Sequence, residues 1–169
     1  MLNLSLIRHA NSDLNNSSDD DMSRPISLKG INKTKKIGKF LNEKEISFDE
    51  VFCSPSRRTK ETLGIIVKYL PNEPCITYLE NLYHTSGIDI FDTVMLEAQK
   101  KRVLIVSHQP LLSNSIDNFF TGSTNEHYFN AITSYTTSAF FNVSFNCDQW
   151  HQILKSNADL NFFIKPSDL

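Results

Sequence analysis

Apolar and polar positions along this chain follow two alternating rhythms, one of strands and one of helices. Leu2 to Ile7 is mostly apolar and ends at once in Arg8 and His9, which predicts a short strand. Asn11 to Ser23 is rich in Asn, Ser and Asp and reads as a loop, its Asp19-Asp20-Asp21 cluster as a solvated turn. Leu28 to Leu41 has helical spacing. Ile31, Ile37, Phe40 and Leu41 share a face, Lys33, Lys35, Lys36 and Lys39 form a solvated one, and Ser27 stands at the N-cap. Asp49 to Cys53 predicts a second strand, broken by Ser54-Pro55. Ser56 then caps a helix running to about Leu70, with Leu63, Ile66, Val67 and Leu70 as its apolar stripe.

The second half repeats the alternation. Ile76 to Leu79 reads as a brief strand and Ile88 to Gln99 as a helix. Val103-Leu104-Ile105-Val106 is a continuous run of the kind found in strands buried on both faces, and a helix over Leu111 to Phe120 follows His108-Gln109-Pro110. Ser138 to Phe145 and Gln149 to Leu154 read as a terminal hairpin around Asn146-Cys147-Asp148. Strand and helix in alternation predict one α/β domain over residues 1–169, layered around a mainly parallel central sheet flanked by helices.

Composition narrows the class. The 169 residues fit one domain with a sizeable core, and 40% hydrophobic with 21% charged residues is the balance of a soluble globular protein. Seventeen basic and nineteen acidic side chains give a net charge of -2, so nothing in the bulk charge points to nucleic acid. The N-terminus has neither a positive segment nor a cleavage site, and no apolar run approaches the ~20 residues that span a bilayer. Cys53, Cys75 and Cys147 are scattered and form no C-x-x-C pair, the pattern of reduced thiols in a cytoplasmic protein.

The candidate chemistry lies where three strands end. Arg8-His9 follows the first strand, Arg57-Arg58 opens the helix after the second, and Ser107-His108 follows Val103 to Val106. Open α/β sheets bind ligands beyond the carboxyl ends of their strands, so these segments deliver Arg, His, Arg and His to one edge. Such a cluster suits a phosphoryl group. Guanidinium offers a charged planar fork to two phosphate oxygens, a neutral imidazole can attack phosphorus, and a second can hydrogen-bond an equatorial oxygen. The start of the Ser56-capped helix adds N–H groups that favour an anion.

Rival chemistries lack their signatures. Cys53 and Arg58 are separated by four residues where the thiolate phosphatase loop needs five, and that loop's Gly-rich cradle is missing. There is no G-x-x-x-x-G-K-[ST] stretch and no G-x-S-x-G elbow. His9 and His108 match no zinc spacing, and Arg8 beside His9 repels a dication.

The same residues carry a family resemblance. Leu6-Ile7-Arg8-His9-Ala10 resembles the Arg-His-Gly signature of the histidine phosphatase (phosphoglycerate mutase-like) superfamily. Ser54 to Thr62 resembles its Ser-Pro-x-x-Arg-Ala-x-Gln-Thr motif, and Ser107-His108-Gln109-Pro110 its Gly-His-Asn-Pro motif. Arg24-Pro25-Ile26-Ser27-Leu28-Lys29-Gly30, with Leu82-Tyr83, is similar to segments of the short bacterial phosphohistidine phosphatases. The resemblance runs from Leu2 to about Leu154. It implies a phosphoglycerate mutase-like fold in which His9 is the nucleophile that becomes phosphorylated. Arg8, Arg58 and His108 then hold the phosphoryl group, with Arg24 near the pocket entrance. Arg58, not Arg57, occupies the motif position.

The chain departs from the family pattern at Ala10, which adds a methyl where the backbone turns, and at Thr59, Glu61, Ser107 and Gln109. A further departure concerns the proton donor. Longer members use a mid-chain carboxylate; this chain reads Glu80-Asn81-Leu82-Tyr83-His84-Thr85-Ser86 there, with His84 the candidate by location and Glu80 a poorer one. Without an acid, hydrolysis of an ester slows by roughly 10²–10⁴-fold. A phosphorylated imidazole is a better leaving group. The expectation is therefore a phosphohistidine phosphatase acting on a phosphorylated phosphotransfer protein in signal transduction, without metal or organic cofactor, nucleic acid or membrane partner. The alternatives are a phosphatase of small phosphate esters and a catalytically silent phosphate-binding module.

Overall fold

The computed structural model describes residues 1–13, 20–83 and 87–169. Six strands form one sheet in the order β3-β2-β4-β1-β5-β6. They are β1 (Leu2–Arg8), β2 (Glu50–Cys53), β3 (Cys75–Tyr78), β4 (Arg102–Ser107), β5 (Phe140–Phe145) and β6 (Ala158–Ile164). β1, β2, β3 and β4 run parallel, while β5 is antiparallel to both its neighbours. The expected α/β domain with a mainly parallel sheet is what the chain forms.

Side-chain alternation splits the core into two layers. Leu2, Leu4 and Leu6 of β1, with Val103 and Ile105 of β4, meet α3 (Ile90–Glu97), α4 (Leu111–Phe120) and α5 (Glu126–Thr133). Ile7, Leu104 and Val106 point the other way, onto α1 (Leu28–Glu43) and α2 (Arg57–Ile66). Helices therefore cover both faces, which is why Val103 to Val106 carries no polar residue. Ser27 and Ser56 cap α1 and α2 as expected, each accepting a hydrogen bond from the backbone N–H three residues on.

The predicted terminal hairpin is corrected. β5 pairs with Ala158–Ile164, not with Gln149 to Leu154. Residues Trp150–Gln152 instead make a single 3₁₀ turn that drops Trp150 and Ile153 into the core, with the indole N–H bonded to the Lys100 carbonyl at 2.7 Å. Their apolar character served burial beneath the sheet, not strand pairing. α5 was not anticipated: it is short, and its buried side chains are Tyr128 and Ala131 alone. The helix expected to reach Leu70 tightens to 3₁₀ after Ile66.

Parallel strands bring their carboxyl ends to one edge. Since β2, β4 and β1 are consecutive neighbours, the segments after Cys53, Ser107 and Arg8 meet there.

Candidate active site

His9 is fixed by its own backbone and by its neighbours. Its amide donates to the Ser107 carbonyl at 3.0 Å, continuing the β1–β4 ladder. Its Nδ1 lies 2.7 Å from the Ala10 carbonyl, an atom that only accepts, so Nδ1 carries the proton and Nε2 keeps a lone pair. Burial pushes the pKa of His9 down to about 4; the Ala10 hydrogen bond opposes the fall, and Arg58, Arg8 and Arg24 add to it. At neutral pH the ring is uncharged.

His108 sits beside it, with ring centroids 5.0 Å apart. Nδ1 of His108 is 3.3 Å from Nη2 of Arg58, and Nε2 is 2.7 Å from Oγ of Ser54. A guanidinium only donates, so Nδ1 accepts and Nε2–H donates to the serine. Burial first, then the charges of His9, Arg58 and Arg8, lower His108 to about 3. Tyr83 stands edge-on to the same ring, 5.5 Å between centroids.

The arginines supply positive charge with little water to screen it. Arg58 is 6% exposed; Arg57 points outward and pairs with Glu61 at 2.7 Å, which agrees with the motif assignment. Nη1 of Arg8 donates to the Tyr135 carbonyl at 2.7 Å, and its buried Nε has no partner among the described residues. Burial lowers both Arg8 and Arg58 from the usual guanidinium value, yet arginine stays charged at any working pH. Arg8, His9, Arg24 and Arg58, with Asn11, Ser12 and Thr137, line one open cleft of about 340 Å³.

Several supports were not legible in the sequence. Thr62, the last residue of the second motif, accepts the Ala10 amide at 2.9 Å and donates to the Arg58 carbonyl at 2.6 Å, tying two motifs together. Glu61 accepts the Ile26 amide at 2.8 Å and so pins the Arg24-Pro25-Ile26 segment onto α2. Ser138, buried and at φ 60°, donates its amide to the Arg8 carbonyl at 3.1 Å. Ala10 needs no glycine: it is not among the positive-φ residues, and its methyl is accommodated beside Gly30. A Cβ on Gly30 would lie 2.5 Å from the Asn11 carbonyl oxygen, so the glycine is required there instead.

Two expectations about polar residues change. Asp21 does more than the expected solvated turn residue: its side chain is 46% exposed, yet its carboxylate contacts Arg58 and Arg24, because Asp20 caps a 3₁₀ turn over Asp21–Ser23 that brings it to them. Asp19 and the candidate donor His84 lie outside the described residues. Glu80 is itself exposed at the start of a 3₁₀ turn that buries Leu82, and the residue that segment presents to His108 is Tyr83. The Cys53 thiol is buried and pushed up to about 12, so it is no nucleophile at neutral pH. No group of three metal-ligating side chains occurs among the described residues, and none of their helices is long and apolar enough to cross a membrane.

Comparison with known proteins agrees with this arrangement. The family model "Histidine phosphatase superfamily (branch 1)" matches residues 4–82, which contain the first two motifs. Sequence comparison finds no match among curated proteins. By structure, the chain is similar to the protein histidine phosphatase SixA complexed with tungstate, at TM-score 0.77 and 20% identity over 99% of both chains. It is also similar to a candidate phosphohistidine phosphatase SixA from Nakamurella multipartitia, at TM-score 0.80 and 21% identity over 98% of this chain and 96% of that one. A phosphoglycerate mutase from Plasmodium falciparum aligns at TM-score 0.59 and 16% identity over 94% and 87%. The chain thus resembles the histidine phosphatase superfamily in sequence over its first half. Over nearly its whole length it has the phosphoglycerate mutase-like fold.

Proposed function

We propose that this chain, as a single histidine phosphatase domain, is a metal-independent phosphatase that works through a phosphorylated His9. The observation that carries the reading is the state of His9. It is uncharged, its Nδ1 proton is held by Ala10, and it lines a cleft with Arg8, Arg24 and Arg58. Nε2 attacks phosphorus, forming an N–P bond as the bond from phosphorus to the leaving group breaks, and the leaving group takes a proton from solvent. Water then attacks phospho-His9, releasing phosphate and restoring the neutral ring while the water's proton leaves to solvent. Arg8 and Arg58 neutralise charge spread over the equatorial oxygens, while His108, its Nε2–H given to Ser54, accepts from Nη2 of Arg58 and helps to hold that guanidinium in place. Arg24 contacts the phosphoryl group from the entrance.

The substrate we favour is phosphohistidine on a phosphotransfer protein. The mid-chain segment brings the Tyr83 ring against His108 and gives its hydroxyl to Asp21, and imidazole departs with little help from a proton donor. The open cleft accepts a protein-borne side chain, and three free thiols fit a cytoplasmic setting. A small phosphate ester is the second reading, because a cleft of about 340 Å³ has room for one. Comparing kcat/KM on a phosphohistidine protein with that on phosphoserine and sugar phosphates tests the choice. The proposal expects the phosphoprotein to be preferred at least tenfold, and a preference for the esters contradicts it.

A further inference from the structure

The carboxylate of Asp21 joins two of the cleft's guanidinium groups. Oδ2 accepts from Nη2 of Arg58 at 2.9 Å and from the Tyr83 hydroxyl at 2.8 Å, while Oδ1 is paired with Arg24. The main-chain carbonyl of Asp21 takes Nη1 of Arg58 at 2.7 Å. One residue therefore holds both outer nitrogens of Arg58, and the remaining hydrogen of Nη2 faces Nδ1 of His108. Arg24 and Arg58 line the cleft, and Asp21 is not among its lining residues.

Two arginines side by side, with Arg8 close by, repel one another, and long side chains lose rotamer freedom when held. A carboxylate shared between them offsets both costs. The turn that presents it is itself fastened. Asp20 caps it by accepting from the Met22 amide and the Ser23 hydroxyl, and Ser12 bridges Ile26 while Glu61 takes the Ile26 amide. Of the residues in that fastening only Ser12 lines the cleft.

We propose that Asp21 is a positioning residue: it holds Arg58 and Arg24 in the orientation that receives the phosphoryl oxygens, with Tyr83 fixing the carboxylate in turn. This rests on the reading that those two arginines take the phosphoryl group. The sign of its consequence is opposite to that of bulk charge. Removing an acid from a cationic cleft ought to tighten anion binding by Coulomb attraction alone. Loss of positioning loosens it.

The test is binding of inorganic phosphate by calorimetry to the wild type, Asp21→Asn, Asp21→Ala and Asp21→Glu, each checked by its melting temperature. A charge-assisted hydrogen bond is worth enough that Asp21→Asn and Asp21→Ala are expected to raise the dissociation constant about tenfold or more, with partial recovery in Asp21→Glu. Steady-state assays are expected to show the same variants raising KM more than they lower kcat. Phosphate binding that is unchanged or tighter in Asp21→Asn overturns the positioning role and leaves the phosphatase reading intact. A wild-type protein that binds no phosphate overturns both.

Discussion

The Ser54 hydroxyl accepts the Nε2 proton of His108 at 2.7 Å, deep beneath the cleft, where Ser54 is fully buried and His108 is 8% exposed. With Nδ1 turned to Arg58, this single contact fixes the tautomer and tilt of the ring. The first motif residue after β2 thus sets the orientation of a residue at the end of β4, through neighbouring parallel strands.

Ser54→Ala leaves Nε2–H of His108 buried without an acceptor, at a cost of about 1–3 kcal/mol. The expected result is a fall in kcat/KM of about tenfold or more in a protein that still folds. An unchanged kcat/KM would show that His108 does not depend on Ser54.

The two histidines also predict how stability responds to pH. Their ordinary value is 6.5, and in the folded chain they lie at about 4 and about 3. Between pH 6.5 and 4 the unfolded chain binds protons that the native one refuses. Native stability is therefore full above pH 6.5 and is lost as pH falls through that window, by at most about 1.4 kcal/mol per histidine per pH unit. Melting temperatures measured from pH 7.5 to 4.5 are expected to drop, and the slope to be shallower in His9→Ala. Equal slopes in the two proteins contradict the depressed value assigned to His9.

Gly30→Ala is expected to disturb the site although Gly30 touches no ligand-facing atom. Its Cβ would meet the Asn11 backbone oxygen at 2.5 Å and nitrogen at 3.0 Å, and the Ala10 methyl at 3.1 Å. Backbone atoms cannot swing aside, so the loop that follows His9 must shift. Overpacking of this kind costs about 1–3 kcal/mol. A lower melting temperature together with lost activity is the expected outcome; wild-type activity in Gly30→Ala contradicts the account of that loop.

What could be read from the sequence was what is encoded locally. The β1 run ending in Arg8-His9, the caps at Ser27 and Ser56, and the span Leu111–Phe120 each depend on residues close in sequence, and all appear as expected. β6 was missed because its partner is set by a pairing across an intervening turn, and the apolar Trp150 and Ile153 nearby are core residues of that turn. Arg8, His9, Arg58 and His108 were legible because three parallel strand ends must share an edge. Asp21 and Tyr83 were not. Neither has a sequence pattern tying it to Arg58; their contacts span 37 residues from Asp21 to Arg58 and 62 from Tyr83 to Asp21, and exist only once the 20–26 segment lies against α2.

The central claim is that His9 takes the phosphoryl group onto Nε2. The direct measurement is to mix the protein with a phosphotransfer protein labelled with ³²P on histidine, quench in alkali, and map the label by peptide mass spectrometry, with His9→Ala alongside. The account predicts acid-labile, alkali-stable phosphate on His9, inorganic phosphate released by the wild type, and neither in His9→Ala. Phosphate released with equal rate by His9→Ala, or label on another residue, would contradict it.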